Sequence, residues 1–157
     1  MNASKDVVYV VDDDQGMLDS TVWLLESIGL SAKAFTSGQA FLDAELQDSN
    51  ACVILDIRMP GMGGLSVQEA LRSRNILLPV IFVSGHADVP IVVRAFRAGA
   101  VDFLEKPYNE QLLIDSVQQA LNQFQGQSSD QRLQQTLQLI DTLTPRERDV
   151  FIPLVQG

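Results

Sequence analysis

Five short runs of apolar residues, each ending in a polar residue, constrain the fold of this chain more than any other feature. Residues 7–11, 51–55 and 79–84 are almost continuously apolar, and residues 31–35 and 101–105 form weaker runs of the same length. Continuous apolar runs are typical of strands buried on both faces of a parallel sheet. Each run is followed by a segment with apolar residues at helical spacing. The alternation predicts an α/β fold: a doubly wound, five-stranded parallel sheet with right-handed crossovers.

The intervening helices are predicted from the same kind of spacing. The first has four apolar residues on one stripe and ends at Gly29, a natural helix C-cap: Leu18, Val22, Leu25 and Ile28. Trp23 lies off that stripe, and we expect it to be a packing residue rather than a platform for a ligand. Two later helices are predicted over residues 91–98 and 111–124.

Composition excludes several classes of protein. No apolar run in the 157 residues approaches the roughly 18 residues of a membrane span, and the first residues lack the pattern of a signal peptide. We therefore expect a cytoplasmic protein without a membrane partner. Cys52, the only cysteine, lies in an apolar run and is expected to be a buried hydrophobic residue. A net charge of −9 argues against this chain gripping a nucleic-acid backbone by itself.

Polar residues at the ends of four predicted strands are the candidate functional residues: Asp12, Asp13, Asp56, Ser84 and Lys106. Each has a simple structural explanation when taken alone, as a turn acid, a helix cap or a surface charge. In an open parallel sheet, however, ligands bind at the carboxyl ends of the strands. The joint placement of these residues at one edge therefore indicates a site.

The chemistry of that set indicates phosphoryl transfer. Clustered carboxylates repel each other unless a cation neutralises them, and ligands that are all oxygen suit Mg²⁺ better than zinc. Two like charges about 4 Å apart repel by about 4 kcal/mol at an effective dielectric of about 20, which would oppose attack on a phosphoryl group. The metal and Lys106 would turn this repulsion into attraction, and a serine hydroxyl could donate to a phosphoryl oxygen. An aspartate nucleophile is implied.

Several separated motifs make residues 6–124 resemble the receiver domains of two-component response regulators. They are Asp12-Asp13, Asp56 with Met59-Pro60-Gly61, Ser84-Gly85 and Lys106-Pro107. Residues 84–90 and 99–107 resemble the FixJ-like branch of that family. The resemblance implies a receiver (phosphoacceptor) domain over residues 1–124 with the flavodoxin-like strand order 2-1-3-4-5.

The resemblance also implies a role for each residue. Asp56 would be the phosphoacceptor, Asp13 a direct and Asp12 an indirect Mg²⁺ ligand, and the Arg58 carbonyl would complete the metal site. Ser84 and Lys106 would bind phosphoryl oxygens, and the Lys106-Pro107 peptide bond would be cis. Ser84 and Phe103 would be switch residues, although Phe103 could equally be a core phenylalanine. His86 would be a loop residue of that branch, a bystander or a gate rather than a phosphodonor or a metal ligand.

The same resemblance implies a signalling function. A sensor histidine kinase would donate the phosphoryl group, and the chain would catalyse its own phosphoryl transfer and slow dephosphorylation rather than act as an enzyme. Phosphorylation would favour a homodimer through the face formed by helix 4, strand 5 and helix 5, and would thereby control transcription.

The C-terminal residues predict a linker and the start of another domain. Residues 125–143 are rich in Gln and Ser and carry Leu133, Leu137 and Ile140 at helical spacing, which predicts a linker helix. Residues 144–157 begin with a capping box and resemble the opening of a LuxR-type helix-turn-helix domain. The sequence stops before any recognition helix, so we expect a truncated domain and DNA binding only through the missing part.

Two other functions fit a sheet of this kind. An aspartate-nucleophile phosphohydrolase would want a second acid two residues beyond the nucleophile, where this chain has Arg58. A flavin carrier would need a phosphate loop rich in Ser, Thr and Gly after the first strand, where this chain has three acids. Both observations count against these alternatives.

Overall fold

The computed structural model describes residues 6–46 and 50–124, which form one five-stranded parallel sheet flanked by five helices. The strands lie in the order β2-β1-β3-β4-β5, as predicted: β1 (Val7–Val11), β2 (Ser31–Phe35), β3 (Ala51–Asp56), β4 (Val80–Ser84) and β5 (Asp102–Glu105). All four pairings of neighbouring strands are parallel. The helices are α1 (Gln15–Ser27), α2 (Gly38–Asp43), α3 (Gly64–Ser73), α4 (Val89–Arg97) and α5 (Glu110–Phe124).

Two hydrophobic cores lie on opposite faces of the sheet. Alternate residues of β1 show the division: Tyr9 belongs to the core that contains residues of α2, α3 and α4, whereas Val8 belongs to the core that contains residues of α1 and α5. This alternation follows from the two-residue repeat of a strand. Cys52 is fully buried in the second core, and burial raises the pKa of its thiol to about 12, in agreement with a buried hydrophobic residue.

Helix α1 differs from its prediction in which side chains it buries. Leu18 and Leu25 are buried as expected, but Thr21 joins them, and Ile28 is exposed because the helix ends at Ser27. The predicted packing role of Trp23 is wrong, since 72% of this residue is exposed. At about 100° per residue, position 23 lies roughly 200° from both position 21 and position 25, so it faces away from the core.

The boundaries of the later elements shift by one or two residues. Helix α4 begins at Val89 rather than at residue 91, because the Asp88 carboxylate accepts a hydrogen bond from the Ile91 N–H (3.0 Å) and caps the first turn. The linker helix predicted over residues 125–143 and the helix predicted over residues 144–157 lie outside the described residues. Within the described part, no helix combines the length and the apolar character needed to span a bilayer.

Candidate functional site

The carboxyl ends of the parallel strands bring three aspartates together. Val11 pairs with Leu55 in the β1–β3 register, so the residues that follow them in the sequence, Asp12 and Asp56, lie side by side. One carboxylate oxygen each from Asp12, Asp13 and Asp56 lies within 4.8 Å of the others. Asp12 and Asp56 are buried and Asp13 is exposed, so the cluster opens to solvent on the side of Asp13.

Lys106 extends to this cluster from the end of β5, the edge strand of the sheet. It follows β5, and its ammonium donates hydrogen bonds to Asp12 Oδ2 (2.7 Å) and to Asp56 Oδ2 (3.2 Å). Its backbone N–H donates to the Ser84 carbonyl (2.8 Å), which places Lys106 against the end of β4. Burial lowers the pKa of Lys106, but the hydrogen bonds and negative charges of Asp12 and Asp56 outweigh it, so the net pKa is raised and the ammonium form is favoured.

Asp56 is the electrostatically perturbed member of the set. Burial and then the negative charge of Asp12 raise the pKa of Asp56 from 3.8 to about 6, although Lys106 and the Arg58 N–H act in the opposite direction. A single lysine therefore does not compensate two neighbouring buried carboxylates. The imbalance favours binding of a further cation at this site.

Backbone N–H groups fix the two buried carboxylates. The Asp14 N–H donates to Asp12 Oδ1 (2.9 Å), and the Arg58 N–H donates to Asp56 Oδ1 (3.2 Å). Because the Oδ2 atom of each carboxylate bonds Lys106, both groups are held at two atoms. Asp14 plays a different part from its two neighbours, since its side chain caps α1 by accepting from the Met17 N–H (3.2 Å).

The two predicted switch residues lie on adjacent strands beside this cluster. Ser84 is fully buried, and its hydroxyl donates to the His86 carbonyl (3.0 Å) and accepts from the His86 N–H (3.1 Å). This hydroxyl therefore bonds the loop before α4 and not the acidic cluster. Phe103 pairs with Phe82 in the sheet register and is half-buried against the core below α3 and α4. His86 is exposed.

Two features of the site were absent from the sequence predictions. The Tyr108 hydroxyl and Thr21 Oγ1 are hydrogen-bonded at 2.8 Å, which ties the loop after Lys106 to α1. In the sequence, the position of Tyr108 directly after the Lys106-Pro107 pair could have indicated that this residue lies near the site. The second feature is Gly64 at the start of α3, where an added Cβ would lie 2.5 Å from the Asp56 carbonyl oxygen. The Lys106-Pro107 bond is cis, as the family resemblance implied.

The donors at this edge fit a hard divalent cation. The cluster supplies carboxylate oxygens from Asp12, Asp13 and Asp56, with no nitrogen or sulfur ligand in the group. All-oxygen donor sets are those that Mg²⁺ prefers. The raised pKa of Asp56 adds an electrostatic reason, since a bound cation would favour its ionised form.

Comparisons with known proteins agree with this geometry. The family model described as "Response regulator receiver domain" matches residues 8–118. Nodulation protein W of Bradyrhizobium diazoefficiens is 42% identical over 156 residues, covering 99% of this chain and 69% of its own length. The transcriptional regulatory protein FixJ of the same species is 37% identical over 155 residues, covering 98% of this chain and 76% of its own length.

A solved structure shows the same fold. The crystal structure of FixJ-N superposes with a TM-score of 0.68 at 34% sequence identity and covers 76% of this chain and 96% of that chain. The fold, the matched family and the regulators of transcription among the relatives all agree. This chain belongs to the two-component response regulators through a receiver domain of the FixJ-like type.

Proposed function

We propose that Asp56 accepts a phosphoryl group from the phosphohistidine of a sensor histidine kinase. The observation that carries this proposal is the Lys106 ammonium, which bonds Asp12 and Asp56 together at the carboxyl edge of the sheet. In the transfer, an Asp56 carboxylate oxygen forms the bond to phosphorus while the phosphorus–nitrogen bond of the donor histidine breaks. The donor ring carries a proton on its other nitrogen, so it leaves as a neutral imidazole, and the product on this chain is an aspartyl phosphate.

The side chains at this edge have distinct parts in that transfer. Asp12, Asp13, Asp56 and the Arg58 carbonyl would hold Mg²⁺, which supplies positive charge to the incoming phosphoryl oxygens. The Lys106 ammonium already donates a hydrogen bond to Asp56 Oδ2. After the transfer it would donate instead to a phosphoryl oxygen on Asp56 and neutralise part of its negative charge. The Asp14 and Arg58 N–H groups keep Asp12 and Asp56 oriented, so little reorganisation is needed when the donor arrives.

Ser84 connects the modified site to α4 in this proposal. Its hydroxyl now donates to the His86 carbonyl, and a hydrogen bond to a charged phosphoryl oxygen is roughly twice as strong as a neutral one. If the Ser84 hydroxyl donated to the phosphoryl group instead of to the His86 carbonyl, the loop before α4 would be released. Phe103 on the adjacent strand would then repack. The modification would thus favour a second conformation by differential contacts.

The surface that would respond is an exposed apolar stripe on α4. Val89, Val93 and Phe96 recur at helical spacing, and their exposed fractions are 74%, 39% and 45%. Phosphorylated protein is expected to pair through the face formed by α4, β5 and α5, and so to control transcription through a DNA-binding domain. The measurement is light scattering after size exclusion with acetyl phosphate and Mg²⁺. A monomer at high protein concentration would contradict this step.

A phosphohydrolase on the same fold is the rival function, and turnover separates the two. Arg58 stands where the hydrolase would need an acid to protonate the leaving group. We expect at most one phosphoryl group per chain and no catalytic release of phosphate from p-nitrophenyl phosphate. Release of many equivalents, lost in Asp56→Asn, would establish the hydrolase instead.

The raised pKa of Asp56 predicts a stability change in Asp56→Asn. Its folded pKa of about 6 lies above the ordinary value of 3.8, so ionised Asp56 destabilises the fold above pH 6 and has no effect well below pH 4. Asp56→Asn should raise the free energy of unfolding at pH 7 by roughly 1–3 kcal/mol, with Lys106 still paired to Asp12.

Urea denaturation across pH checks this prediction. The difference in unfolding free energy between Asp56→Asn and wild type should grow between pH 4 and pH 6 and stay constant above pH 6. It should become smaller when Mg²⁺ is added. Asp115→Asn, which removes an exposed carboxylate on α5, is the matched control and should show no such profile. A pH-independent difference between Asp56→Asn and wild type would show that Asp56 is not electrostatically strained.

Ser84→Ala should uncouple phosphorylation from the response of α4. The variant keeps Asp56, Lys106 and the acidic pair, so it should still gain a phosphoryl group from acetyl phosphate, more slowly because one donor is missing. Without the hydroxyl it should lose most of the phosphorylation-dependent dimer. Ser73→Ala, at the exposed last residue of α3, is the control. Full dimerisation of phosphorylated Ser84→Ala would exclude the proposed relay.

A further inference from the structure

A basic groove between α3 and α4 adjoins the acidic site at Arg58, whose backbone N–H donates to Asp56. Its larger part, near the β3–α3 loop, has a volume of about 630 Å³ and is lined by Arg58 and Arg94. The second part, of about 300 Å³, is lined by Arg72, Arg94 and Arg97 and by one acid, Glu69, so its charge is net positive. Leu65 and Ser66 also line both parts, so the two are continuous. We call this surface the α3–α4 groove.

The groove concentrates the positive charge of an acidic chain. The whole sequence has a net charge of −9, yet four of the seven Lys and Arg residues in the described ranges line this one surface. Of the other three, Lys106 is held by two aspartates and Arg74 donates to the Leu42 carbonyl (2.9 Å). Only Lys33, on the edge strand β2, is a further cation without such a partner among the described residues.

The four arginines of the groove have no ion-pair or side-chain hydrogen-bond partner among the described residues. Within residues 6–46 and 50–124, the salt bridges at 4.0 Å or less are those of Lys106, and none of the four groove arginines donates a side-chain hydrogen bond. Complementarity to the helix dipole can explain cations in the last turns of α3 and α4. It does not explain Arg58, which belongs to no helix, nor the absence of basic residues from the last turns of α1, α2 and α5.

The groove also has an apolar floor. Met59, Leu65 and Ile91 line its larger part, and each is partly buried against the core on that face of the sheet. Guanidinium groups match the fork of a carboxylate, and apolar side chains of a ligand would cover the floor. The shape is open rather than enclosed, and from Leu65 to Arg72 α3 rises by about 10 Å. An extended ligand with several separated charges fits such a surface better than a single small anion.

We propose that the α3–α4 groove binds an acidic, amphipathic peptide segment of a partner protein, with carboxylates on Arg94 and Arg97 and an apolar side chain on Leu65 and Ile91. A nucleic acid fits less well, because a phosphodiester backbone offers no apolar group to the floor, whereas an amphipathic peptide does. The surface shares no residue with the exposed stripe of Val89, Val93 and Phe96. The proposal does not depend on phosphorylation of Asp56.

Fluorescence anisotropy of the full chain with a labelled synthetic peptide tests the proposal. The probe is a short peptide that carries several glutamates around two leucines, and its analogue has every glutamate replaced by glutamine. The acidic probe should bind, and binding should weaken as salt is raised. Arg94→Gln should weaken it about tenfold, the loss expected for one charge-assisted pair, and Arg97→Gln should also weaken it.

Lys33→Gln is the matched control, because it also removes one positive charge and lies on the edge strand away from the groove. It should leave the affinity within about twofold. Equal affinity for Arg94→Gln and wild type, or equal binding of the glutamine analogue, would overturn the proposal. So would tighter binding of a single-stranded oligonucleotide, or complete displacement of the peptide by millimolar pyrophosphate, since these would identify a nucleic-acid or small-anion site. Circular dichroism verifies that each variant is folded.

Discussion

Gly64→Ala is expected to destabilise the fold by about 2–3 kcal/mol, although alanine is the better helix former by about 1 kcal/mol. A Cβ at position 64 would lie 2.5 Å from the Asp56 carbonyl oxygen, 3.1 Å from its carbonyl carbon and 3.2 Å from Ile57 Cα. All three are backbone atoms, so no side chain can rotate away. The Gly64 N–H also donates to the Ile57 carbonyl (3.0 Å), and moving α3 off the end of β3 would weaken that bond.

Urea denaturation of Gly64→Ala and Gly85→Ala measures this effect against a matched control. At Gly85 an added Cβ meets nothing within 4 Å, so the same substitution should change the free energy of unfolding by less than about 0.5 kcal/mol. Because the obstructed atoms belong to Asp56 and Ile57, Gly64→Ala should also slow phosphorylation. Equal unfolding free energies for the two variants would contradict the close approach of α3 to β3.

Lys106→Met is expected to slow phosphoryl gain from acetyl phosphate by about 10²–10³-fold, the cost typical of removing one charged group that stabilises a transition state. Lys106 is the cation that the fold places within 3.2 Å of Asp56 Oδ2 and 2.7 Å of Asp12 Oδ2. Without it, two buried carboxylates face each other, and the pKa of Asp56 should rise further above its present value of about 6.

The rate of phosphoryl gain in saturating Mg²⁺, followed by intact mass, checks this prediction. Lys33→Met is the control, since it exchanges a lysine for methionine far from the acidic cluster, and it should react at the wild-type rate. If the rate of phosphoryl gain of Lys106→Met reaches half its maximum at a higher pH than that of wild type, the effect acts through the ionisation of Asp56. A rate for Lys106→Met within threefold of wild type would show that the proposed role of Lys106 is wrong.

The parallel strands and the location of the site could be predicted because they depend on local patterns. Apolar runs identify the strands, and a polar residue after each run identifies its carboxyl end. The parallel topology then brings Asp12, Asp56 and Lys106 together, as observed. The order 2-1-3-4-5 itself required the family resemblance, because alternation alone does not choose among sheet orders.

Other features depend on packing between distant segments, which periodicity does not reveal. The stripe of α1 includes Thr21 rather than Ile28, because Tyr108, 87 positions away, supplies a hydrogen-bond partner for a buried hydroxyl. Trp23 is exposed because its angular position on α1 places it away from Leu18 and Leu25. Its large aromatic side chain alone therefore did not predict burial. The α3–α4 groove joins arginines from a loop and two helices, and no sequence motif links them.

Intact mass spectrometry after incubation with acetyl phosphate, with and without Mg²⁺, shows whether Asp56 is the phosphoacceptor and whether the reaction needs the metal. Wild type, Asp56→Asn and the exposed control Asp115→Asn would be compared under identical conditions. We expect one added phosphoryl group on wild type and on Asp115→Asn, only when Mg²⁺ is present, and none on Asp56→Asn. An adduct of the same yield on Asp56→Asn, or no adduct on wild type under any condition, would contradict this expectation.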